Sequence, residues 1–170
     1  VNIENTIDNF ILVMENDNFL KNIYLYNEFS NQYEYHEEGK SPRPWTDTDD
    51  ANVMRYLEKN YGLYNDKKYE KSLKIVMQEH KYHPLKELLE NKEWDGVKRI
   101  DNFLKDILKC DISEPGYEEY YREVSRMIFY GGIARLYTPG VKFDYMPILI
   151  GKQGTGKSTI VMWLALNANY

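Results

Sequence analysis

The feature that most constrains this chain is residues 151–158, which read Gly-Lys-Gln-Gly-Thr-Gly-Lys-Ser. They match the phosphate-binding loop pattern G-x-x-x-x-G-K-[ST] at every fixed position. An apolar run, residues 145–150, precedes them, and a segment with helical periodicity, from Thr159 to about Ala168, follows. The pattern therefore predicts a buried strand, a glycine-rich loop and a helix in direct succession.

The residue types in this loop suit the binding of a nucleoside triphosphate. Gly151, Gly154 and Gly156 let backbone N–H groups turn towards an anion, where side chains would obstruct them. We expect Lys157 to reach the β- and γ-phosphates and the Ser158 hydroxyl to ligate Mg²⁺. The predicted cofactors are ATP and Mg²⁺, and the simpler alternative is a structural glycine-rich turn. The predicted nucleotide-binding residues are Gly151, Lys152, Gln153, Gly154, Thr155, Gly156, Lys157, Ser158 and Thr159, with Lys157 as the catalytic residue and Ser158 as the metal ligand.

The rest of the sequence predicts an α+β fold that is mostly helical. We expect a helix up to Asn16, a β-hairpin over residues 24–35 and a loop over residues 37–44. The middle carries helical patterns at residues 47–61, 66–80, 85–89, 100–108 and 115–138. This organisation divides the chain into residues 1–44, residues 45–140 as a helical domain, and residues 141–170 as the start of a truncated P-loop nucleotidase domain.

Charge and composition limit the classes of protein that fit. The net charge is -5, and the first sixty residues carry 5 basic and 12 acidic side chains, so a nucleic-acid surface is expected only beyond them. No apolar stretch approaches the roughly 20 residues that span a membrane. The single cysteine, Cys110, and the absence of basic residues in the first twenty favour a reducing, cytoplasmic location.

Three lysines on one predicted helix are candidate DNA contacts. Lys67, Lys71 and Lys74 recur at helical spacing, after a turn that could belong to a helix-turn-helix. The alternative is an ordinary solvated helix face, which the acidic residues on the same helix favour. His80 and His83 have a spacing compatible with metal binding, but their positions favour packing and capping.

Several motifs together resemble the virulence-associated protein E family. They are Trp94-Asp95-Gly96, the earlier His83-Pro84 pair, the segment at residues 137–144 and the glycine-rich loop itself. The resemblance spans roughly residues 45–166, and Lys152 departs from it by standing where proline is more usual. It implies a P-loop ATPase of phages and mobile genetic islands, similar to superfamily-three helicases, that forms a homo-oligomeric ring or partial ring on DNA. Only residues 151–158 carry over as functional positions.

We therefore expect the intact protein to be an ATP-dependent replication protein, either a DNA helicase or a helicase-like initiator. Twelve residues follow Ser158, which leaves no room for the strand that carries the acidic magnesium partner, so the 170-residue chain alone is expected to be inactive. We also expect its last strand and helix to fold back or to self-associate. The alternative is an autonomous DNA-binding or subunit-assembly module. A P-loop kinase is disfavoured because the loop lies so late in the chain.

Overall fold

A computed structural model describes residues 3–165 of the chain, which divide into two compact units. Unit 1 is Val1–Asn91 and unit 2 is Lys92–Tyr170. The described residues form an α+β structure in which roughly half are helical and the strands make one small mixed sheet. Between residues 3 and 165, no helix combines the length and the apolar character that crossing a membrane requires.

The helices of unit 1 begin and end where local signals predict. They are α1 (Ile7–Asn16), α2 (Asp47–Tyr61), α3 (Asp66–Glu79) and α4 (Pro84–Glu90). At the start of α2, Thr46 accepts a hydrogen bond from the Asp49 N–H while the Asp49 carboxylate accepts one from the Thr46 N–H. The same helix ends at Gly62, whose φ of 71° lies in the left-handed region that favours glycine. These four helices confirm the predictions for unit 1.

The sheet of unit 1 is larger than the predicted hairpin. Its strands are β1 (Tyr24–Asn27), β2 (Gln32–Tyr35), β3 (Arg43–Pro44) and β4 (Lys81–Tyr82), in the order β3-β2-β1-β4. The β1–β2 hairpin is antiparallel and confirms the prediction, with Tyr24 opposite Tyr35. Strand β3 lies within the segment predicted as a loop, and β4 pairs in parallel with β1. Both additional strands have only two residues, too few for an alternating pattern to be visible in the sequence.

The core of unit 1 lies where the first three helices face β1. Its buried apolar residues are Phe10, Val13, Met14, Leu20, Tyr24, Val53, Leu57, Leu63, Tyr69, Leu73, Val76 and Met77. They come from both sides of residue 44, so the predicted first segment and the beginning of the predicted helical domain share one interior. The three-part domain division remains a prediction.

Unit 2 contains a π-helical segment (Phe103–Ile107) and two α-helices, α5 (Tyr117–Tyr137) and α6 (Lys157–Leu164). The sequence predicted an amphipathic helix over residues 100–108, and the structure is helical there only over Phe103–Ile107, with π-type hydrogen bonding. The Leu108 N–H donates to the Phe103 carbonyl five residues back, at 3.3 Å. Lys109 then adopts a φ of 53°, which a right-handed helix cannot accommodate.

Helix α5 is continuous through its paired glycines. A close contact explains the first of them, because Gly131 is buried directly beneath the ring of Phe143. Gly132 has no comparable neighbour. Two adjacent glycines inside a helical pattern predict close packing or a kink, and close packing is observed at Gly131.

The predicted buried strand at residues 145–150 is not present. Residues 141–150 have no regular secondary structure, and Met146, Ile148 and Ile150 are exposed. A strand requires a neighbouring strand for its backbone hydrogen bonds, and no strand between residues 3 and 165 pairs with this segment. Helix α6 begins two residues before the predicted start at Thr159, and the predicted end at Ala168 lies outside the described residues.

Candidate functional site

The glycine-rich loop of unit 2 leads directly into α6. Gly154 and Gly156 have φ values of 83° and 81°, a conformation that side-chain-bearing residues rarely adopt. Gly156 immediately precedes the helix, and its carbonyl accepts the hydrogen bond of the Ile160 N–H at 3.0 Å. The N–H groups of the first helical turn have no carbonyl partner within the helix, so they are available to an anion.

The side chain of Lys157 folds back across the loop that precedes it. Its Nζ atom lies 2.8 Å from the Gly151 carbonyl oxygen, 2.7 Å from the Lys152 carbonyl oxygen and 3.3 Å from the Thr155 hydroxyl. An ammonium group has three N–H donors, and these three oxygens accept them. The Thr155 hydroxyl also donates to the Lys152 carbonyl at 2.9 Å. The loop is therefore closed around a positive charge that forms no ion pair within residues 3–165.

The other residues predicted to bind nucleotide surround this ammonium group along the chain. Ser158 and Thr159 are on the first turn of α6, and their side chains are exposed. Gly151, Lys152, Gln153, Gly154, Thr155 and Gly156 are also exposed. Within the part of the chain that the structure describes, no three His, Cys, Asp or Glu side chains are grouped to hold a metal ion. The role of Ser158 as a ligand of Mg²⁺ together with phosphate oxygens remains a prediction of the loop pattern.

Two apolar side chains hold the loop from either end. Leu149 precedes the loop in the chain and Ile160 follows it on α6. Both side chains pack into the cluster that contains Phe103 and Leu104. The buried Ser125 hydroxyl of α5 supports this cluster by accepting a hydrogen bond from the Leu104 N–H at 3.3 Å. The sequence shows an apolar residue on each side of the loop, but it did not predict that Leu149 and Ile160 pack into the same cluster.

The three candidate DNA-contacting lysines lie together on α3 of unit 1. Lys67, Lys71 and Lys74 are exposed, and their spacing places them on one side of the helix. None of them forms a salt bridge with another described residue. A four-residue turn, residues 62–65, separates α2 from α3, as in the predicted helix-turn-helix.

The Trp-Asp-Gly motif forms a turn that is stabilised by hydrogen bonds between residues of the same segment. The Asp95 carboxylate accepts two hydrogen bonds from Arg99, at 2.8 and 2.6 Å, and a third from the Val97 N–H at 3.0 Å. These bonds lower the pKa of Asp95 to about 2, with the Arg99 guanidinium as the main cause. Gly96 has a φ of 83°, and the Trp94 side chain is largely exposed. The turn is preorganised, and it presents an aromatic ring to solvent.

The other residues considered for chemical roles are two histidines and the cysteine. His80 Nε2 lies 3.1 Å from a carboxylate oxygen of Glu15. His83 is the residue before α4 but makes no capping hydrogen bond with its side chain. Burial raises the pKa of the Cys110 thiol, which disfavours the reactive thiolate.

Comparison with known proteins finds a family model that is similar to residues in the second half of the chain. The family model described as the virulence-associated protein E-like domain matches residues 89–170. This match includes the Trp-Asp-Gly turn and the glycine-rich loop, but it starts at residue 89, whereas the sequence motifs placed the start of the resemblance near residue 45. No curated protein matches the chain. Residues 89–170 thus resemble the virulence-associated protein E-like domain.

Proposed function

We propose that residues 151–158 bind the phosphates of ATP and that the intact protein is an ATPase. The observation that carries this proposal is the position of Lys157, whose ammonium group is held inside the loop by uncharged oxygens. Phosphate oxygens are stronger partners for an ammonium group than carbonyl oxygens, because the hydrogen bonds are then assisted by charge on both sides. The loop is thus ready to exchange its own acceptors for those of a nucleotide.

Each part of the loop has a separate role in this proposal. Lys157 moves from the Gly151 and Lys152 carbonyls to the β- and γ-phosphates and stabilises charge as the terminal phosphoryl group is transferred. The N–H groups of the first turn of α6 orient the phosphate oxygens. Ser158 provides a hydroxyl ligand for Mg²⁺, which when bound neutralises charge between the two phosphates. The left-handed glycines keep Cβ atoms away from the path of the backbone.

We assign this ATPase to DNA replication in a phage or mobile genetic element, as a helicase or a helicase-like initiator that acts as a homo-oligomer. The match of residues 89–170 to the virulence-associated protein E-like domain supports a mobile-element origin. The replication role, the DNA partner and the oligomer are parts of the proposal.

Two lysines of the same loop provide a matched test. In the intact protein, Lys157→Ala removes the ammonium group inside the loop, whereas Lys152→Ala removes a side chain at a variable position. We expect Lys157→Ala to weaken Mg-ATP binding at least about tenfold and to abolish turnover. Lys152→Ala should change binding less than about twofold, since its backbone carbonyl is retained. Isothermal titration and phosphate release measure both effects, and full turnover in Lys157→Ala would exclude the assignment.

A second candidate function is DNA binding through the lysine face of α3. It is favoured by the exposure of Lys67, Lys71 and Lys74 and by their lack of ion-pair partners among the described residues. Each phosphate contact that is lost should reduce the dependence of binding on salt by about 0.9 in the slope of log K against log salt concentration.

The matching experiment compares two triple substitutions of equal charge. The first changes Lys67, Lys71 and Lys74 to Ala, and the second changes three lysines elsewhere in unit 1, Lys21, Lys40 and Lys59. Fluorescence anisotropy with a short DNA duplex at several salt concentrations should show a reduced slope for the first variant alone. Equal slopes for the two variants would show that this face of α3 does not contact DNA.

A further inference from the structure

We infer that Phe143 is a positioning residue for the phosphate loop. Gly131 of α5 leaves the space that the Phe143 ring occupies against this helix. The inference rests on the proposed function, because the loop it positions is the proposed nucleotide site. It adds two residues outside the glycine-rich pattern, Gly131 on α5 and Phe143 in the irregular segment that follows this helix.

The ring of Phe143 lies directly against the backbone of α5. A Cβ atom added to Gly131 would overlap Cε2 and Cζ of the ring and lie 2.9 Å from Cδ2, so only glycine admits the ring here. Arg135, one helical turn further on, donates a hydrogen bond from Nη2 to the Phe143 carbonyl at 3.2 Å. Its guanidinium carbon is 5.6 Å from the ring centroid. The side chain and the backbone of Phe143 are therefore both fixed to α5.

The segment between Phe143 and the loop is held at few other points. Residues 144–150 have no regular secondary structure, and Met146, Ile148 and Ile150 are exposed. Leu149 is the member of this segment that packs into the apolar cluster of unit 2. Because the backbone has no strand partner among the described residues, Phe143 and Leu149 together fix where the chain enters the loop.

The exit of the loop is fixed to the same body. Ile160 of α6 packs in the cluster that receives Leu149, and residues of α5, including Val124 and Ile128, line that cluster. Helix α5 thus contacts the chain on both sides of the loop. It contacts Phe143 directly, and its side chains line the cluster that contains Leu149 and Ile160. A displacement of about 1 Å in groups that orient a bound ligand can cost up to about 100-fold in activity, so a shift at Phe143 should be measurable at the loop.

The paired glycines of α5 allow this to be tested with a matched control. Gly131→Ala and Gly132→Ala add the same methyl group to adjacent positions of one helix, but only the first displaces the Phe143 ring. In the intact protein, we expect Gly131→Ala to weaken Mg-ATP binding by about tenfold or more, and Gly132→Ala by less than about twofold. Circular dichroism establishes that both variants are folded under the conditions of the titration.

A thermodynamic cycle distinguishes positioning from general damage. Phe143→Ala removes the ring, so adding Gly131→Ala to it should cause no further loss of Mg-ATP affinity. Additive losses in affinity would show that the two residues act separately, and they would overturn the inference. If Gly131→Ala does not fold, Phe143→Ala decides by itself, because it adds no atom to α5.

A measurement without nucleotide separates this inference from the proposed function. Hydrogen exchange of the backbone amides of residues 149–157 reports the order of the loop itself. Gly131→Ala should accelerate this exchange in the nucleotide-free protein, and Gly132→Ala should not. If the wild-type protein binds no Mg-ATP, the proposed function fails while this comparison still decides the positioning role. Equal exchange in the two variants would overturn it.

Discussion

The two units bury their apolar side chains to very different extents. Within residues 3–91, unit 1 has twelve buried apolar residues in a single cluster, including Phe10, Leu57 and Met77, which are fully buried. Among the described residues, unit 2 has a cluster of three, Phe103, Leu104 and Ile160. The exposed large apolar residues of unit 2 include Trp94, Tyr120, Tyr130, Tyr145, Met146, Ile148, Ile150 and Trp163. The unit with the large core carries no phosphate loop, and the unit with the loop depends on a few individual contacts.

Each unit also contains a two-pronged arginine–carboxylate pair, in a different environment. In unit 1, Arg43 donates to both oxygens of Asp49 at 2.7 Å, and the Asp49 carboxylate is buried. In unit 2, Arg99 makes the equivalent bonds to Asp95, with both side chains exposed. The Asp49 carboxylate is shielded from water although Arg43 is half exposed, whereas both side chains of the Arg99–Asp95 pair are exposed. Of these two pairs, we therefore expect the one in unit 1 to contribute more to stability.

The largest expected effect comes from shortening one core side chain in each unit. Leu57→Ala should lower the free energy of unfolding of unit 1 by about 3–5 kcal/mol, because a closely packed interior cannot collapse around the cavity. Leu104→Ala should cost unit 2 about 2 kcal/mol, since its exposed surroundings can move inward. Hydrogen exchange of amides in α3 and in α5 reads each unit separately. Equal losses in the two units would contradict the comparison.

A smaller effect is expected from the buried carboxylate of unit 1. Asp49→Asn removes a charged partner of Arg43 and Thr46 and should cost about 2 kcal/mol at pH 7. The exposed Asp47, on the same first turn of α2, provides the control Asp47→Asn, which should be close to neutral.

The same substitution has a defined pH dependence. The Arg43 guanidinium, with the Thr46 hydroxyl and N–H, holds the pKa of Asp49 well below its ordinary value near 4. A lowered pKa in the folded state stabilises the fold above the ordinary pKa, and this stabilisation is lost as the pH falls towards the folded-state pKa. Urea unfolding at pH 7 and pH 3 should therefore show a smaller difference between wild type and Asp49→Asn at pH 3. A constant difference would show that the charge of Asp49 is not responsible.

The smallest expected effect is at the exposed pair of unit 2. Arg99→Gln should shift the urea midpoint much less than Asp49→Asn does and should raise the pKa of Asp95 only slightly, because solvent weakens this exposed pair and linkage ties the two effects together. Lys98→Gln removes a neighbouring charge without these hydrogen bonds and should leave the pKa of Asp95 low. Titration of the Asp95 carboxyl by NMR measures both, and a clear loss of stability in Arg99→Gln would contradict the assignment of this pair to solvent.

The parts of the fold that were predictable are those with local causes. Helix α2 has its cap at Thr46 and its stop at Gly62, both within a few residues of the helix itself. Strand β4 depends on pairing with β1, more than fifty residues earlier, and no short-range pattern signals it. Residues 145–150 have the composition of a strand, but composition cannot provide the neighbour that a strand needs.

The candidate site shows the same division between local and distant causes. The loop residues were identifiable because glycine, lysine and serine at fixed spacing have a direct chemical reason. The glycine pair of α5 indicated close packing, but nothing nearby in the sequence pointed to Phe143 as the partner of Gly131. The return of Lys157 to the carbonyls of its own loop depends on the backbone path, which the motif leaves unspecified.

The parallel pairing of β1 with β4 constrains the order in which unit 1 can form. The N–H groups of Tyr26 and Glu28 donate to the carbonyls of His80 and Tyr82, so one edge of β1 has no partner until residue 82 has been synthesised. Helices α2 and α3 are made in that interval, and closing so long a connection costs chain entropy before the pairing is gained. During synthesis on the ribosome, the β1–β2 hairpin therefore has unpaired backbone groups along one edge of β1. At this stage the chain is most exposed to pairing with the wrong strand.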